Sequence, residues 1–184
     1  MKPGARALGV AESYRGDAST LAGVVTRVDR AVDGFVFDSC TVGGLDSTSA
    51  LVDLFDRLGR EDLQYLLLAG IAPAWYNIVD IEQVHEQTGC PVLSVSFEES
   101  AGLESAIRDA FDGEDAQRRL DVYRSLPPRR QVDLDGETVF VRAVGADDDE
   151  AARVLRAYTP EGGRPEPLRV ARLAARAGDA YRNR

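Results

Sequence analysis

The chain has 184 residues, enough for one domain with a full core and too few for two ordinary ones, so a single domain over 1–184 is expected. Its composition, 44% hydrophobic and 29% charged, is that of a globular protein; no apolar run nears the ~18 residues of a membrane span and no secretory leader pattern opens "MKPGARALGV", so a membrane protein is excluded and the cytoplasm is expected. The net charge is −9, 21 of the 22 bases are arginine, and aspartate (19) outnumbers glutamate (12), an acidic, lysine-poor surface that suits concentrated salt and a halophilic source without forbidding a nucleic-acid partner.

In chain order, residues 5–11 (ARALGVA), 20–28 (TLAGVVTRV) and 34–38 (GFVFD) are short apolar runs rich in β-branched residues, and read as strands. Their connections are too short for a parallel crossover, so they must form an antiparallel meander. Thr48, Leu51, Val52, Leu54, Phe55 and Leu58 then recur at helical spacing, with Asp46 or Ser47 placed to cap the helix and Gly59 to end it. A buried strand over 64–70 (QYLLLAG), a helix over about 76–88 closed by Gly89, and a strand over 91–97 (PVLSVSF) follow. Such alternation implies parallel strands with right-handed crossovers. Beyond Glu98 the pattern predicts two charged helices ending at Pro127-Pro128, a hairpin around the type I′ signal Asp135-Gly136, and helices near 147–157 and 166–177.

Three antiparallel strands, then strand, helix, strand, flanked by helices and followed by a hairpin and two more helices, is the order of an α/β, ribonuclease H-like mixed sheet. The first strand then lies centrally, beside the strand that follows the first helix. Their carboxyl ends share a crevice, where α/β sheets generally bind ligands. The run "LGVAES" (8–13) reaches that edge and stops on a carboxylate, Glu12; the other strand ends at Ala69-Gly70.

The stretches LGVAES, LAGVVTRVD, DGFVFDSCTVGGLDST, LLLAGIAPAWYNIVDIEQVHEQTGCPVLSVS and PEPLRVARLAA resemble the archaeal endonuclease dU family, over nearly the whole chain. That family is similar to endonuclease V, a Mg²⁺-dependent nuclease of ribonuclease H-like fold that cuts near deaminated bases. The resemblance implies a nuclease active on DNA or RNA with a damaged or deaminated base, as in DNA repair. Glu12, assisted by Asp46 or Asp80, would be its catalytic carboxylate, and Glu12 and Asp46 its Mg²⁺ ligands. Against the family's Gly-Ile-Asp-Asp-Gly pattern this chain has Gly9, Val10, Ala11, Glu12 and Ser13, and Ala69 stands where an acid often precedes Gly70-Ile71. Two expected oxygen donors are absent, and metal-assisted hydrolysis needs such donors around the ion.

Each candidate has a structural alternative. Glu12 is either a solvated strand end or a ligand; Asp46 could cap the helix or bind metal; Asp80 could tie a loop. Asp17, five residues beyond Glu12, is within sequence reach of the same edge. His85 reads as a surface or packed side chain rather than a general base. Cys40 and Cys90, outside any Cys/His cluster, are expected as free thiols, and zinc has no support. Gly43-Gly44 and Gly70 fit turns better than a phosphate loop. Arg169, Arg172 and Arg176 form one helical stripe, a phosphate contact or a solvated face, and Trp75 and Tyr76 could stack on an extruded base or pack inside. Three functions stay open: a metal-dependent nuclease, a catalytically degenerate member serving as a nucleic-acid-binding or interaction module, and, since fold does not dictate function, a small-molecule enzyme using the same crevice.

Overall fold

The computed structural model describes residues 1–2, 4–160 and 162–184. Strands β1 (Arg6–Tyr14), β2 (Ala18–Arg27), β3 (Val32–Thr41), β4 (Tyr65–Ala69), β5 (Val92–Ser96), β6 (Arg130–Leu134) and β7 (Glu137–Val144) form one sheet in the order β3-β2-β1-β4-β5-β7-β6. The helices are α1 (Ser47–Leu58), the single turn α2 (Pro73–Tyr76), α3 (Ile81–Thr88), α4 (Glu104–Ala110), α5 (Gly113–Ser125), α6 (Asp148–Ala157) and α7 (Glu166–Arg182). β1, β2 and β3 pair antiparallel, as their short connections dictate, while β4 is parallel to β1 and β5 to β4. The ribonuclease H-like order holds.

The alternation of side chains divides the core between two faces. Leu8, Val10, Leu66 and Leu68 pack with Leu54 of α1, Ile81 and Val84 of α3, Ile107 of α4 and Leu120 of α5. On the other face Ala7, Leu67, Leu93 and Val95 meet Val154 and Leu155 of α6 and Leu168 of α7. The consecutive leucines of β4 are therefore buried on both sides, the signature of a central parallel strand. α7 lies so close to β1 that a Cβ on Gly9 would stand 2.4 Å from the backbone of Pro167. In the β6–β7 hairpin Asp135 and Gly136 have φ of 53° and 91°, the paired positive values of a type I′ turn.

The register sets the site. β1 pairs with β4 only from Ala7 to Val10, whereas its pairing with β2 continues to Tyr14. Glu12 thus overhangs the end of β4.

One expected element differs. The helix over 76–88 is instead the turn α2, an extended link through Asn77–Asp80, and the shorter α3. The link carries Asn77, fully buried, across to α1, where its Oδ1 accepts the Ser47 N–H at 2.9 Å and its backbone carbonyl accepts the Ser47 hydroxyl at 2.9 Å. In α2, Ala74, Trp75 and Tyr76 have φ of 49°, 59° and 56°. Non-glycine residues in that left-handed region cost roughly 1–2 kcal/mol each, because Cβ crowds the following carbonyl.

Candidate nucleic-acid interface

The carboxyl ends of β1, β4 and β5 open into a crevice made of two adjoining cavities. One, of about 450 Å³, is lined by Glu12, Ala69, Gly70, Glu98, Arg164, Arg172 and Arg176 among others. The second, of about 300 Å³, shares Glu12, Gly70 and Glu98 and runs on to Pro73, Ser94, Ser96, Arg129 and Arg142.

Of the expected carboxylates only Glu12 lines this crevice; Asp46 and Asp80 lie outside its lining, and all three are engaged by the protein itself. Glu12 faces the opening, and its Oε2 accepts the Ser19 hydroxyl at 2.6 Å across β1 and β2. Asp46 occupies the first position before α1 without capping it. Its carboxylate turns back to accept the Thr41 N–H at 3.0 Å, the Thr41 hydroxyl at 2.8 Å and the Asn77 amide at 2.6 Å. Desolvation raises this carboxyl, but the bonds from Asn77 and Thr41 outweigh it and leave Asp46 more acidic than usual. Asp80 lies at the start of α3 rather than inside a helix, and caps it by accepting the N–H groups of Glu82 and Gln83 at 3.1 and 3.0 Å. Asp17 is an exposed residue of the β1–β2 turn and does not line the crevice.

Beneath these groups Cys40 is free and buried; burial first, then the charges of Asp46, Glu12 and Asp38, push its thiol up to about 12. It stays protonated at neutral pH. Cys90 is also free and buried, raised to about 11 by desolvation. The His85 Nδ1 lies 2.9 Å from the carbonyl of Cys90, and its ring packs over Gly145, so this histidine is structural.

On the α7 side the charges are not so used. Among the described residues no ion pair or hydrogen bond engages the guanidinium of Arg172 or Arg176. Arg164 stacks over Phe97 at 3.9 Å. Burial, with the positive charges of Arg172 and Arg176, lowers its pKa against the pull of Glu98, so both of these arginines lie near enough to act on Arg164. Arg169, expected in the same stripe, sits one turn toward the start of α7 and is held by both oxygens of Glu166, at 2.7 and 2.6 Å. Trp75 and Tyr76 lie beyond the crevice, with Trp75 exposed and the Tyr76 ring edge-on to Phe111 at 6.4 Å.

The sequence reading passed over Glu98, Arg164 and Asp179. Glu98 follows β5 as Glu12 ends the apolar run of β1, so the same signal, an acid just past a strand at the shared edge, was present. Arg164, in the loop before α7, carried no periodic signal. Asp179, one turn beyond Arg176 and 1% exposed, accepts from Ser13 and Asn183 and pairs with Arg15 at 3.2 Å.

The donor set does not fit a Mg²⁺ centre. Asp46, Asp80 and Asp179 are satisfied by amides, hydroxyls and an arginine, and Ala11 and Ala69 offer no side-chain oxygen. Among the described residues no three His, Cys, Asp or Glu side chains converge to hold a metal. Glu12 and Glu98 remain, beside three positive charges that would repel a divalent cation.

The model of the endonuclease dU family matches residues 3–178. A UPF0215 protein from Pyrobaculum calidifontis is 34% identical over 181 residues, covering 96% of this chain and 98% of that protein. A protein of unknown function from Archaeoglobus fulgidus has a similar structure, with a TM-score of 0.84 at 26% identity over 94% of this chain and 97% of that one. Human ENDOV gives 0.65 at 18% identity over 98% and 86% of the two chains. The endonuclease V of Ciona intestinalis, solved in complex with an inosine-containing DNA 24mer, gives 0.60 at 14% over 95% and 85%. The likeness to these last two is one of fold, and with the family match over 3–178 and the Pyrobaculum relative it leads to one conclusion: the chain belongs to the endonuclease dU family.

Proposed function

We propose that the protein is a nuclease-like protein directed at nucleic acid, and that its crevice grips backbone phosphates through Arg164, Arg172 and Arg176. The observation that carries this reading is three guanidiniums lining one cavity, two of them with no ion pair or hydrogen bond among the described residues, in a chain of net charge −9. Leaving such charges unpaired is unfavourable in isolation, and an anionic backbone removes the cost by supplying charge-assisted, bidentate partners. Single- or double-stranded DNA and RNA share the phosphate that this wall recognises. That the Ciona endonuclease V, similar in fold, was solved in complex with DNA supports nucleic acid as the class of ligand.

Family membership favours a second reading: hydrolysis beside a damaged or deaminated base, with Glu12 and Asp46 on Mg²⁺ and Asp80 assisting. The engaged carboxylates weigh against it. One experiment separates the two: fluorescent oligonucleotides, with and without uracil or inosine, are titrated in EDTA and in Mg²⁺, with a cleavage-competent relative as control. Binding in EDTA without cleavage in Mg²⁺ is the expected result. Mg²⁺-dependent cleavage supports the second reading, and absence of binding in both conditions overturns the first.

A further inference from the structure

We infer that Trp75 is an aromatic platform for one unpaired base of the strand whose backbone lies on the arginine wall, and that Arg119 is the positioning residue that holds it out. This rests on the phosphate-gripping reading above. Three adjacent residues, Ala74, Trp75 and Tyr76, adopt a conformation that L-residues avoid. Such strain persists only where the surroundings over-determine it. Here they do: the Arg119 guanidinium, 2% exposed, donates to the carbonyls of Tyr76 at 3.1 Å, Gly44 at 3.1 Å, Asp115 at 2.8 Å and Gly43, and lies 3.7 Å over the Phe111 ring. The Gly43 N–H closes the clamp on the Ala74 carbonyl at 2.7 Å. The Asp115 carboxylate stands 3.9 Å from Arg119, so this buried cation is used mainly to hold backbone.

The outcome of the clamp is unusual for a tryptophan. Ala74 is turned into the core and Trp75 is left 53% exposed, its ring edge-on to Tyr76 at 5.2 Å beside a shelf formed by Ala106, Asp109 and Ala110 of α4. An outward tryptophan contributes little to the fold, so the clamped turn presents rather than buries it. Pro73 lines the crevice and Trp75 lies two residues on, within about 7 Å of chain. A strand gripped at its phosphates can therefore swing one base onto the ring, a contact open to any base because every base has a π-face.

Trp75 is the only tryptophan, so its emission reports this contact directly. A fluorescein-labelled single-stranded 12-mer and the same strand with abasic residues are titrated while anisotropy and Trp75 emission are recorded together. The expected result is quenching by the intact strand and none by the abasic one, with Trp75→Ala weakening intact-strand binding about 5- to 100-fold and Trp75→Phe restoring most of it. Arg119→Lys, checked for fold by circular dichroism, should lower the steady-state anisotropy of Trp75 emission in the free protein; if it fails to fold, the Trp75 variants still decide. Binding with unchanged emission and unchanged Trp75→Ala affinity overturns the platform and leaves the phosphate grip intact. Absence of any anisotropy change overturns both.

Discussion

The two walls of the sheet's carboxyl edge treat charge in opposite ways. On the α1–α3 wall the carboxylates a nuclease would need are bound by the protein's own groups, and only Glu12 of the three reaches the crevice: Asp46 holds Thr41 and Asn77, Asp80 caps α3, and Glu12 takes the Ser19 hydroxyl. On the α7 wall, among the described residues, no ion pair or hydrogen bond engages Arg172 or Arg176, and Arg164 stacks on the Phe97 ring with Glu98 nearby. Residue type alone would have pointed to the first wall. Unsatisfied charge points to the second, because a carboxylate already engaged by the protein's own donors has less left to offer a ligand.

The contrast can be broken experimentally, beginning with the largest effect. Charge reversal of Arg172 and Arg176 to glutamate should weaken oligonucleotide binding by two orders of magnitude or more, since each charge-assisted contact is worth about 1.5 kcal/mol or more. The melting temperature should hardly move, as neither side chain holds the fold. A double variant with unchanged affinity in fluorescence anisotropy would remove α7 from the interface.

Asp46→Ala should do the reverse. Losing bonds from Thr41 and Asn77 should destabilise the fold by about 2–3 kcal/mol in urea denaturation, with affinity for the oligonucleotide retained under folding conditions. Reduced affinity only in the presence of Mg²⁺ would instead make Asp46 a metal ligand. Gly9→Ala tests the scaffold under the arginine wall. The added methyl meets the Pro167 backbone, so α7 must shift on β1, at a cost of about 1–3 kcal/mol and with a measurable loss of binding. Equal stability and equal affinity would show that α7 has more room than the packing indicates.

The smallest effect is in acid. Because the folded Asp46 carboxyl is more acidic than its unfolded counterpart, its contribution is complete above the unfolded pKa of about 3.9 and is lost as pH falls through the lower folded value. Denaturation curves for the protein and Asp46→Asn should therefore differ at pH 7 and converge on acidification below pH 4. A gap that persists there assigns the difference to something other than this ionisation.

Much of the scaffold was legible in the sequence because it is written in local signals. Short connections forced the meander, consecutive leucines marked β4, and Asp135-Gly136 fixed the hairpin turn. The adjacency of β1 and β4 followed from topology. The division between α2 and α3 was hidden because residues 76–79 read as the first turn of one helix over 76–88. It is broken by long-range demands, Asn77 reaching Ser47 and Arg119 holding the Tyr76 carbonyl, which no window of sequence contains. The roles of Asp46 and Asp80 were obscured for the same reason, since their partners lie on other segments or depend on where the helix begins. The arginine stripe was visible, but only the structure separates Arg169, bound to Glu166, from Arg172 and Arg176.

The most direct test is the salt dependence of single-stranded oligonucleotide binding in EDTA, followed by anisotropy over the range of salt in which circular dichroism shows the fold intact. Three phosphate contacts predict that log K falls with log salt with a slope of about −2, and that the Arg172 and Arg176 reversals make it shallower. Binding that appears only when Mg²⁺ is added, or that does not respond to salt or to those reversals, would contradict an arginine grip on phosphate.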